Sequence, residues 1–370
     1  MFDFEPTDEQ KMLIDWVKRF AINDLRPIAR NAEETAQFPR SVLEKGWEMG
    51  VLQASIPETY GGFGERSAVT NVLALEELAY GDLAGAIGIM TPGLFALPIL
   101  LAGSEEQKET YLPPLASGEW QPWTAALVEP TFDFDPLDLK TTAVRQGEHY
   151  ILNGVKTLVP FASDAKMLLV YANLGGKTQG FILPAKTEGV VEEARNKLLG
   201  INGLPTYKVT LREVQVPLAN QLGGLDANGM PIGHSFAPIL DASRVALAAM
   251  SLGLARAAFD YSREYAKERE VFGVKVAQKQ AIAFMLAEMA TEIEVIRLVV
   301  WKAAWMLDQH LPEASKQAYL AILGATDMAM MVTDRAVQIL GGHGYIREHP
   351  VEFWMRNGRG IATLTGLAMV

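Results

Sequence analysis

The stretch Arg269-Glu-Val-Phe-Gly-Val-Lys-Val-Ala-Gln-Lys-Gln280 decides how this chain is read. A helix carrying Tyr261, Tyr265 and Glu268 runs into it, Gly273 breaks the helix, and a long amphipathic helix starts again near Gln280. Everything after position 225 reads as a helical bundle built round this corner. Arg269 stands where one helix ends, beside an aromatic and a glycine. Two roles fit it. A fork-shaped cation next to closely approachable backbone suits a pyrophosphate or a carboxylate. A helix-capping arginine paired with a neighbouring Glu satisfies the same sequence.

Working outward, the helical period continues on both sides. Asp241-Ala-Ser-Arg244 opens an Ala-rich helix whose small side chains permit close packing. Ile282, Met285, Leu286, Met289, Ile293 and Ile296 trace one face of the helix after Gln280, a stripe that reads as core. Tyr319 to Leu340 is a further helix, ending at the corner Gly341-Gly342-His-Gly-Tyr before Pro350-Val-Glu-Phe-Trp. Upstream of position 225 the period changes. Trp123–Val128, Met167–Tyr171, Gly180–Leu183 and Tyr207–Val216 read as strands, and Gln146-Gly-Glu148 as a hairpin turn. Asn153-Gly154 carries a type I′ turn signature. Residues 5–120 read as helices again, opened by Thr7-Asp-Glu-Gln, a capping box, and including one buried helix over 82–103. The expected fold is α+β: an N-terminal α-helical domain at 1–120, an antiparallel β-barrel or sandwich domain at 121–227, and a C-terminal four-helix bundle at 228–370.

Composition narrows the function. The 370 residues are 49% hydrophobic and 21% charged, enough apolar surface for a sizeable core. A net charge of -11, from 44 acids and 33 bases, disfavours nucleic acid and anionic membrane surfaces, which want a basic face. With no cysteine, disulfides, thiolate metal sites and cysteine nucleophiles are excluded, and a cytoplasmic location is expected. The stretch MFDFEPTDEQ has neither a basic nor an apolar signal region, and no uninterrupted apolar run reaches membrane-spanning length. Gly175-Gly-Lys177-Thr178 lacks the upstream glycine of a phosphate loop and reads as a hairpin turn. The five histidines (149, 234, 310, 343, 349) form no i, i+4 ligand pair, so no metal site is expected. His343 and His349 flank the glycine corner, either touching a ligand or satisfied structurally. No G-x-S-x-G elbow exists.

The order helices, β domain, helices, with Glu268-Arg269-Glu-Val-Phe272-Gly273, Gln280-Ala-Ile-Ala-Phe-Met-Leu-Ala-Glu-Met-Ala290 and Val337-Gln338-Ile-Leu-Gly-Gly-His-Gly-Tyr345, resembles the acyl-CoA dehydrogenase family, closest to its medium-chain branch. Pro57-Glu-x-Tyr-Gly-Gly62, Gly203-Leu-Pro-Thr206 and Pro350-Val-Glu352 add to the resemblance, which covers nearly the whole chain. It implies a tetramer binding FAD and an acyl-CoA thioester, with an electron-transfer flavoprotein as the usual acceptor. A carboxylate takes the α-proton while the β-hydrogen leaves as hydride. Asp241 and Arg244, of the family's Asp-x-x-Arg helix, are implied at the substrate. Arg269, Phe272, Gln338, Gly341 and Gly342 are implied to reach across a dimer interface and hold the ADP half of a neighbour's FAD.

The departures cluster. The usual base position falls on Thr365 and the alternative one on Ser243, and neither hydroxyl is a carboxylate base. The flavin-contacting hydroxyl has become Val128, the stacking tryptophan Leu158, and the threonine near flavin N5 Pro160; a small serine has become Phe134. The chain also stops at Val370, short of the family's usual last helix. Three readings follow: the base-less subunit of an α2β2 heteromer completed by a homologous partner; a homotetrameric flavoenzyme with altered chemistry, its base another residue such as Asp133 or Asp135, or none needed; and a non-catalytic scaffold.

Overall fold

The computed structural model describes residues 5–116 and 118–370; part of the opening stretch MFDFEPTDEQ, residues 1–4, lies outside them. Helix α1 (Asp8–Phe20) starts as its sequence demands. The Gln10 N–H donates to Thr7 Oγ1 at 3.2 Å, and Gln10 Oε1 accepts the Thr7 N–H at 2.9 Å. A π-turn (Ala21–Leu25) leads into α2 (Arg26–Thr35), followed by α3 (Arg40–Trp47) and α4 (Ala68–Gly81). The buried helix expected over 82–103 is two helices, α5 (Leu83–Met90) and α6 (Gly93–Ala102), bent by 52°. Pro92 has no N–H to continue the ladder, and Thr91 Oγ1 turns back to the Ile87 carbonyl at 2.9 Å. Short helices α7 (Glu105–Tyr111) and α8 (Pro113–Ala116) close this part.

Seven strands follow: β1 (Thr124–Ala126), β2 (Thr142–Gln146), β3 (His149–Pro160), β4 (Met167–Leu174), β5 (Lys177–Pro184), β6 (Val190–Arg195) and β7 (Thr206–Pro217). They form one sheet in the order β1-β4-β2-β3-β7-β6, with β5 on β4. Pairing is antiparallel, except that β1, and β2 at Thr142, lie parallel to β4. Gly175 and Gly176 (φ 61° and 83°) make the expected β4–β5 turn, and Gly147 the β2–β3 turn. Asn153-Gly154 is not a turn. It lies inside β3 as a bulge opposite β7, where the Asn153 amide carbonyl accepts the Glu213 N–H at 2.8 Å. A Cβ on Gly154 would stand 2.7 Å from the Thr141 Cα, so glycine is needed there for close approach. The sheet has its own apolar core, round Leu152, Val170 and Phe181.

Helix α9 (Ala237–Glu268) is the axis of the last part, with α10 (Gln280–Asp308), α11 (Ala314–Leu340) and α12 (Val351–Gly360) packed round it. It is long and apolar enough to cross a membrane, yet 83% of its apolar window is buried within the protein, as suits a central core helix. Gly253 lets α4 approach it, since a Cβ there would stand 2.1 Å from the Glu76 carbonyl oxygen, and Glu76 and Glu77 of α4 are paired by Arg256 at 2.6 and 2.7 Å. Between α9 and α10 the chain forms a two-stranded hairpin, β8 (Glu270–Val271) and β9 (Val274–Lys275).

Asp82 caps α5, accepting the Gly85 N–H at 2.8 Å, and is 3% exposed. Burial pushes its carboxyl up to about 6 from an ordinary value of 3.8. The folded state therefore holds a proton that the unfolded chain has already released. This contribution to stability is full below about pH 4 and lost as pH rises through 6. Urea unfolding of wild type and Asp82→Asn at pH 4 and pH 7.5 should differ in pH dependence by roughly 3 kcal/mol. Parallel curves would refute the assignment.

Candidate functional site

The corner round Arg269 is built from local rules. Helix α9 ends at Glu268; the Arg269 N–H donates to the Tyr265 carbonyl at 2.9 Å, and the Arg269 carbonyl accepts the Val276 N–H at 2.9 Å. Phe272 and Gly273 (φ 57° and 77°) turn the β8–β9 hairpin and put the Phe272 ring 94% exposed. The expected breaker at Gly273 is thus a hairpin tip. Of the two roles open to Arg269, pairing with a neighbouring Glu is not adopted. Glu268 offers its backbone carbonyl to Lys275, whose ammonium also pairs with Glu270. Among the described residues the exposed Arg269 guanidinium makes no ion pair. Gln338, Gly341 and Gly342 are likewise exposed, and open space lies above both glycines.

A tyrosine–histidine ladder ties the two corners together. Tyr265 Oη lies 2.8 Å from His343 Nδ1, and Tyr261 Oη 2.7 Å from His349 Nδ1. The imidazoles stack at 5.2 Å and 13°. Both histidines are therefore satisfied structurally, each through a tyrosine of α9. Sequence reading missed this, though Tyr261 and Tyr265 at i, i+4 were its signal. No cluster of metal-ligating side chains exists among the described residues.

The second group of positions is brought together inside the protein. The Gly366 N–H donates to Ser243 Oγ at 3.0 Å, so Thr365 and Ser243, 122 residues apart in sequence, stand side by side. Ser243 is 2% exposed. Asp241 accepts from Arg244 at 3.1 Å and from Ser315, and the Arg244 guanidinium stacks over Tyr319 at 5.1 Å. Val128 and Leu158 are buried, as is Pro160, which ends β3. Beneath them Lys156, fully buried, reaches Glu129 at 2.8 Å and the Leu127 carbonyl at 3.1 Å. Glu129 also accepts the Lys140 and Thr141 N–H groups at 2.7 and 2.9 Å. Burial pushes the Lys156 amine down to about 8 against the pull of Glu129. Burial alone would raise Glu129, but the Lys156 charge and these donors hold it below the usual carboxylate range. The pair is therefore ionic near neutral pH. Asp133 and Asp135 lie exposed on the 129–140 loop, and Asp135 Oδ1 accepts the Leu137 N–H at 2.8 Å. They stand in solvent, whereas Ser243 is buried.

With this geometry in place, comparison settles the kinship. Three sequence profiles match: Acyl-CoA dehydrogenase, N-terminal domain, over residues 7–119; the middle domain over 124–214; and the C-terminal domain over 235–368. The chain belongs to the acyl-CoA dehydrogenase family. It is 35% identical over 372 residues to the caffeyl-CoA reductase-Etf complex subunit CarC of Acetobacterium woodii, covering 98% of this chain and 96% of that protein. Among solved structures, butyryl-CoA dehydrogenase from Megasphaera elsdenii superposes with a TM-score of 0.87 at 32% identity, covering 100% and 96% of the two chains. An acyl-CoA dehydrogenase from Bacillus anthracis complexed with FAD gives 0.84 at 28%, covering 99% and 67%.

FAD is the cofactor of this acyl-CoA dehydrogenase fold. This chain fits it unevenly. The Arg269, Phe272 and Gly341-Gly342 group is open and cationic, with no ion pair to the Arg269 guanidinium among the described residues, as a pyrophosphate grip requires. The positions assigned to the flavin ring do not fit. Val128, Leu158 and Pro160 bring no side-chain donor. The nearby backbone donors are spent internally: Leu158 N–H on Asn196 Oδ1 at 3.3 Å, Phe161 N–H on the Pro205 carbonyl at 2.8 Å.

Proposed function

We propose that this chain is the base-less subunit of a heteromeric acyl-CoA dehydrogenase, acting in α,β-desaturation of an acyl-CoA thioester only with a homologous partner. The observation that carries this reading is the convergence of both base positions on two hydroxyls. Thr365 and Ser243 meet through the Gly366–Ser243 hydrogen bond, and neither can take an α-proton near neutral pH. In this reading the partner supplies the carboxylate and the ring site. This chain supplies Arg269, Phe272, Gln338 and the Gly341-Gly342 corner to the ADP half of the partner's FAD. The free guanidinium of Arg269 supports that role, because an exposed unpaired arginine beside open glycine backbone is poised for a phosphate. Asp241 and Arg244, tied to Ser315 and Tyr319, brace the N-terminal part of α9. Electrons would leave to an electron-transfer flavoprotein, consistent with the similarity to CarC.

The direct test is α-proton exchange. Octanoyl-CoA in D2O with this chain alone should show no exchange at the α-carbon by NMR, while the co-expressed pair should exchange it readily. Exchange by the chain alone, abolished by Asp135→Asn, would instead establish a homo-oligomeric enzyme with its own base.

A further inference from the structure

The glycine corner is held in place by side chains that can take up protons. Gly341–Tyr345 forms a short 3-10 helix after α11, and Tyr345 and Ile346 at its end are 89% and 39% exposed. One face of the corner is packed: a Cβ on Gly344 would stand 2.3 Å from the Val337 carbonyl oxygen, so the turn lies directly on the last part of α11. The other tie is the tyrosine–histidine ladder. Tyr265 Oη meets His343 Nδ1 at 2.8 Å, Tyr261 Oη meets His349 Nδ1 at 2.7 Å, and the two imidazoles stack at 5.2 Å. The Tyr265 ring packs edge-on against both imidazoles, at 5.9 and 5.7 Å, and the Tyr261 ring edge-on against Trp354 of α12 at 5.8 Å. The ladder thus joins both ends of the 343–349 segment to α9, and through Tyr261 to α12.

The charges facing the ladder are mixed. From α2, Arg30 donates to the His349 carbonyl at 2.8 Å and pairs with Glu352 of α12, while Arg26 lies 5.7 Å from the Trp354 ring. Arg347 pairs with Glu34 of α2 at 3.7 Å, and Glu348 adjoins His349. From α9 come the phenols of Tyr261 and Tyr265. Neither imidazole is paired with a carboxylate among the described residues. A phenol satisfies a neutral imidazole as donor or as acceptor, so the neutral stack is complete. Two imidazolium rings face to face at this separation would each disfavour the other's charge. Partial burial, and next the His343 ring, hold His349 below the usual histidine range, against the pull of Glu348. The closed corner therefore has its full stability above the ordinary histidine value of 6.5 and loses it as pH falls below, because the opened corner takes up protons that the stack resists.

We propose that the Tyr261–His349–His343–Tyr265 ladder is a proton-operated latch: the neutral stack fixes the Gly341-Gly342 corner against α9, and acid opens residues 341–349. The latch is a property of this chain alone; only its bearing on FAD rests on the half-site reading above.

Hydrogen exchange tests the latch. Peptides covering 341–350 would be followed by mass spectrometry in the chain alone at pH 7.5 and 5.0, with intrinsic exchange rates divided out. An ordinary histidine favours its charged form about thirtyfold at pH 5.0, so protection should fall about tenfold, while α10 and the first half of α11 change less than about twofold. His349→Gln keeps an amide for Tyr261 and cannot charge. It should hold protection at pH 7.5 within about threefold of wild type and remove the fall. His343→Gln, which takes the like charge out of the stack from the other side, should flatten the fall as well. Equal wild-type protection at both pH values would overturn the latch. So would a fall shared by α10 and α11, which is general acid loosening. A full fall kept in both variants, or a corner open at both pH values in both, would make the ladder structural only. Flavin retention separates the two proposals. A corner that opens at pH 5.0 in the pair while FAD is fully retained keeps the latch and removes Gly341-Gly342 from the grip. A chain that holds full FAD alone sinks the half-site reading and leaves the latch standing.

Discussion

Purified alone, this chain should carry far less than one FAD per subunit; co-purified with its homologous partner, the pair should carry about one FAD per heterodimer. The physical ground is the uneven site. A flavin ring needs donors placed round it and a surface to stack on, and Val128, Leu158 and Pro160 provide neither, while the Leu158 and Phe161 N–H groups are spent on Asn196 and Pro205. The ADP end needs a cation and bare backbone, and Arg269, Gly341 and Gly342 present both to solvent. In the pair, Arg269→Ala should weaken FAD retention by tenfold or more, since a hydrogen bond to a charged group contributes about 1.5–3 kcal/mol. Absorbance at flavin wavelengths after desalting reads both quantities. A yellow chain at full stoichiometry alone, or a pair indifferent to Arg269→Ala, would end the half-site reading.

Lys156→Met should lower unfolding free energy by about 3–5 kcal/mol, the cost of leaving one charge of a buried pair without its partner. The side chains of Lys156 and Glu129 are 0% and 3% exposed, so solvent cannot take over for either. Glu129 would stay anchored by the Lys140 and Thr141 N–H groups, and hence stay buried with its charge uncompensated. The double variant Lys156→Met, Glu129→Gln should recover part of the loss, because a neutral amide still accepts from those donors and buries no charge. Urea denaturation of the three proteins measures it. A single-variant loss below about 1 kcal/mol would show that the pair behaves like an exposed one. The clamp ties the 127–129 loop to β3, so its loss should also loosen Leu127, against which Gly366 packs.

Thr365 and Ser243 show how far local sequence carries the site. Both stand out as base positions only through motif counting, and nothing in the intervening residues says that they meet. Their juxtaposition comes from α9 packing against the turn at Gly366, whose N–H, one residue after Thr365, donates to Ser243 Oγ. Likewise the Lys156–Glu129 pair was invisible, because a lysine in an alternating strand reads as solvent-facing until the loop that covers it is placed. His343 and His349 were visible as flankers of a corner, while their stacking depends on two tyrosines of another helix.

What the sequence by itself determined was everything written in short-range terms. Period 3.6 against period 2 separated helices from sheet, the Thr7 box and the Gly175-Gly176 turn placed ends, and motif spacing gave the family. These signals act within a few residues, where backbone sterics and hydrogen bonds are decided locally. Tertiary structure alone decided three things: that Asn153-Gly154 is a bulge, because a neighbouring strand claims Asn153; that Arg269 makes no ion pair among the described residues, while Lys275 takes the Glu270 carboxylate and the Glu268 carbonyl; and that residues 366–370 run inward. Each turns on which distant group arrives to compete for a polar atom or an apolar surface, and that competition is settled only when the chain packs.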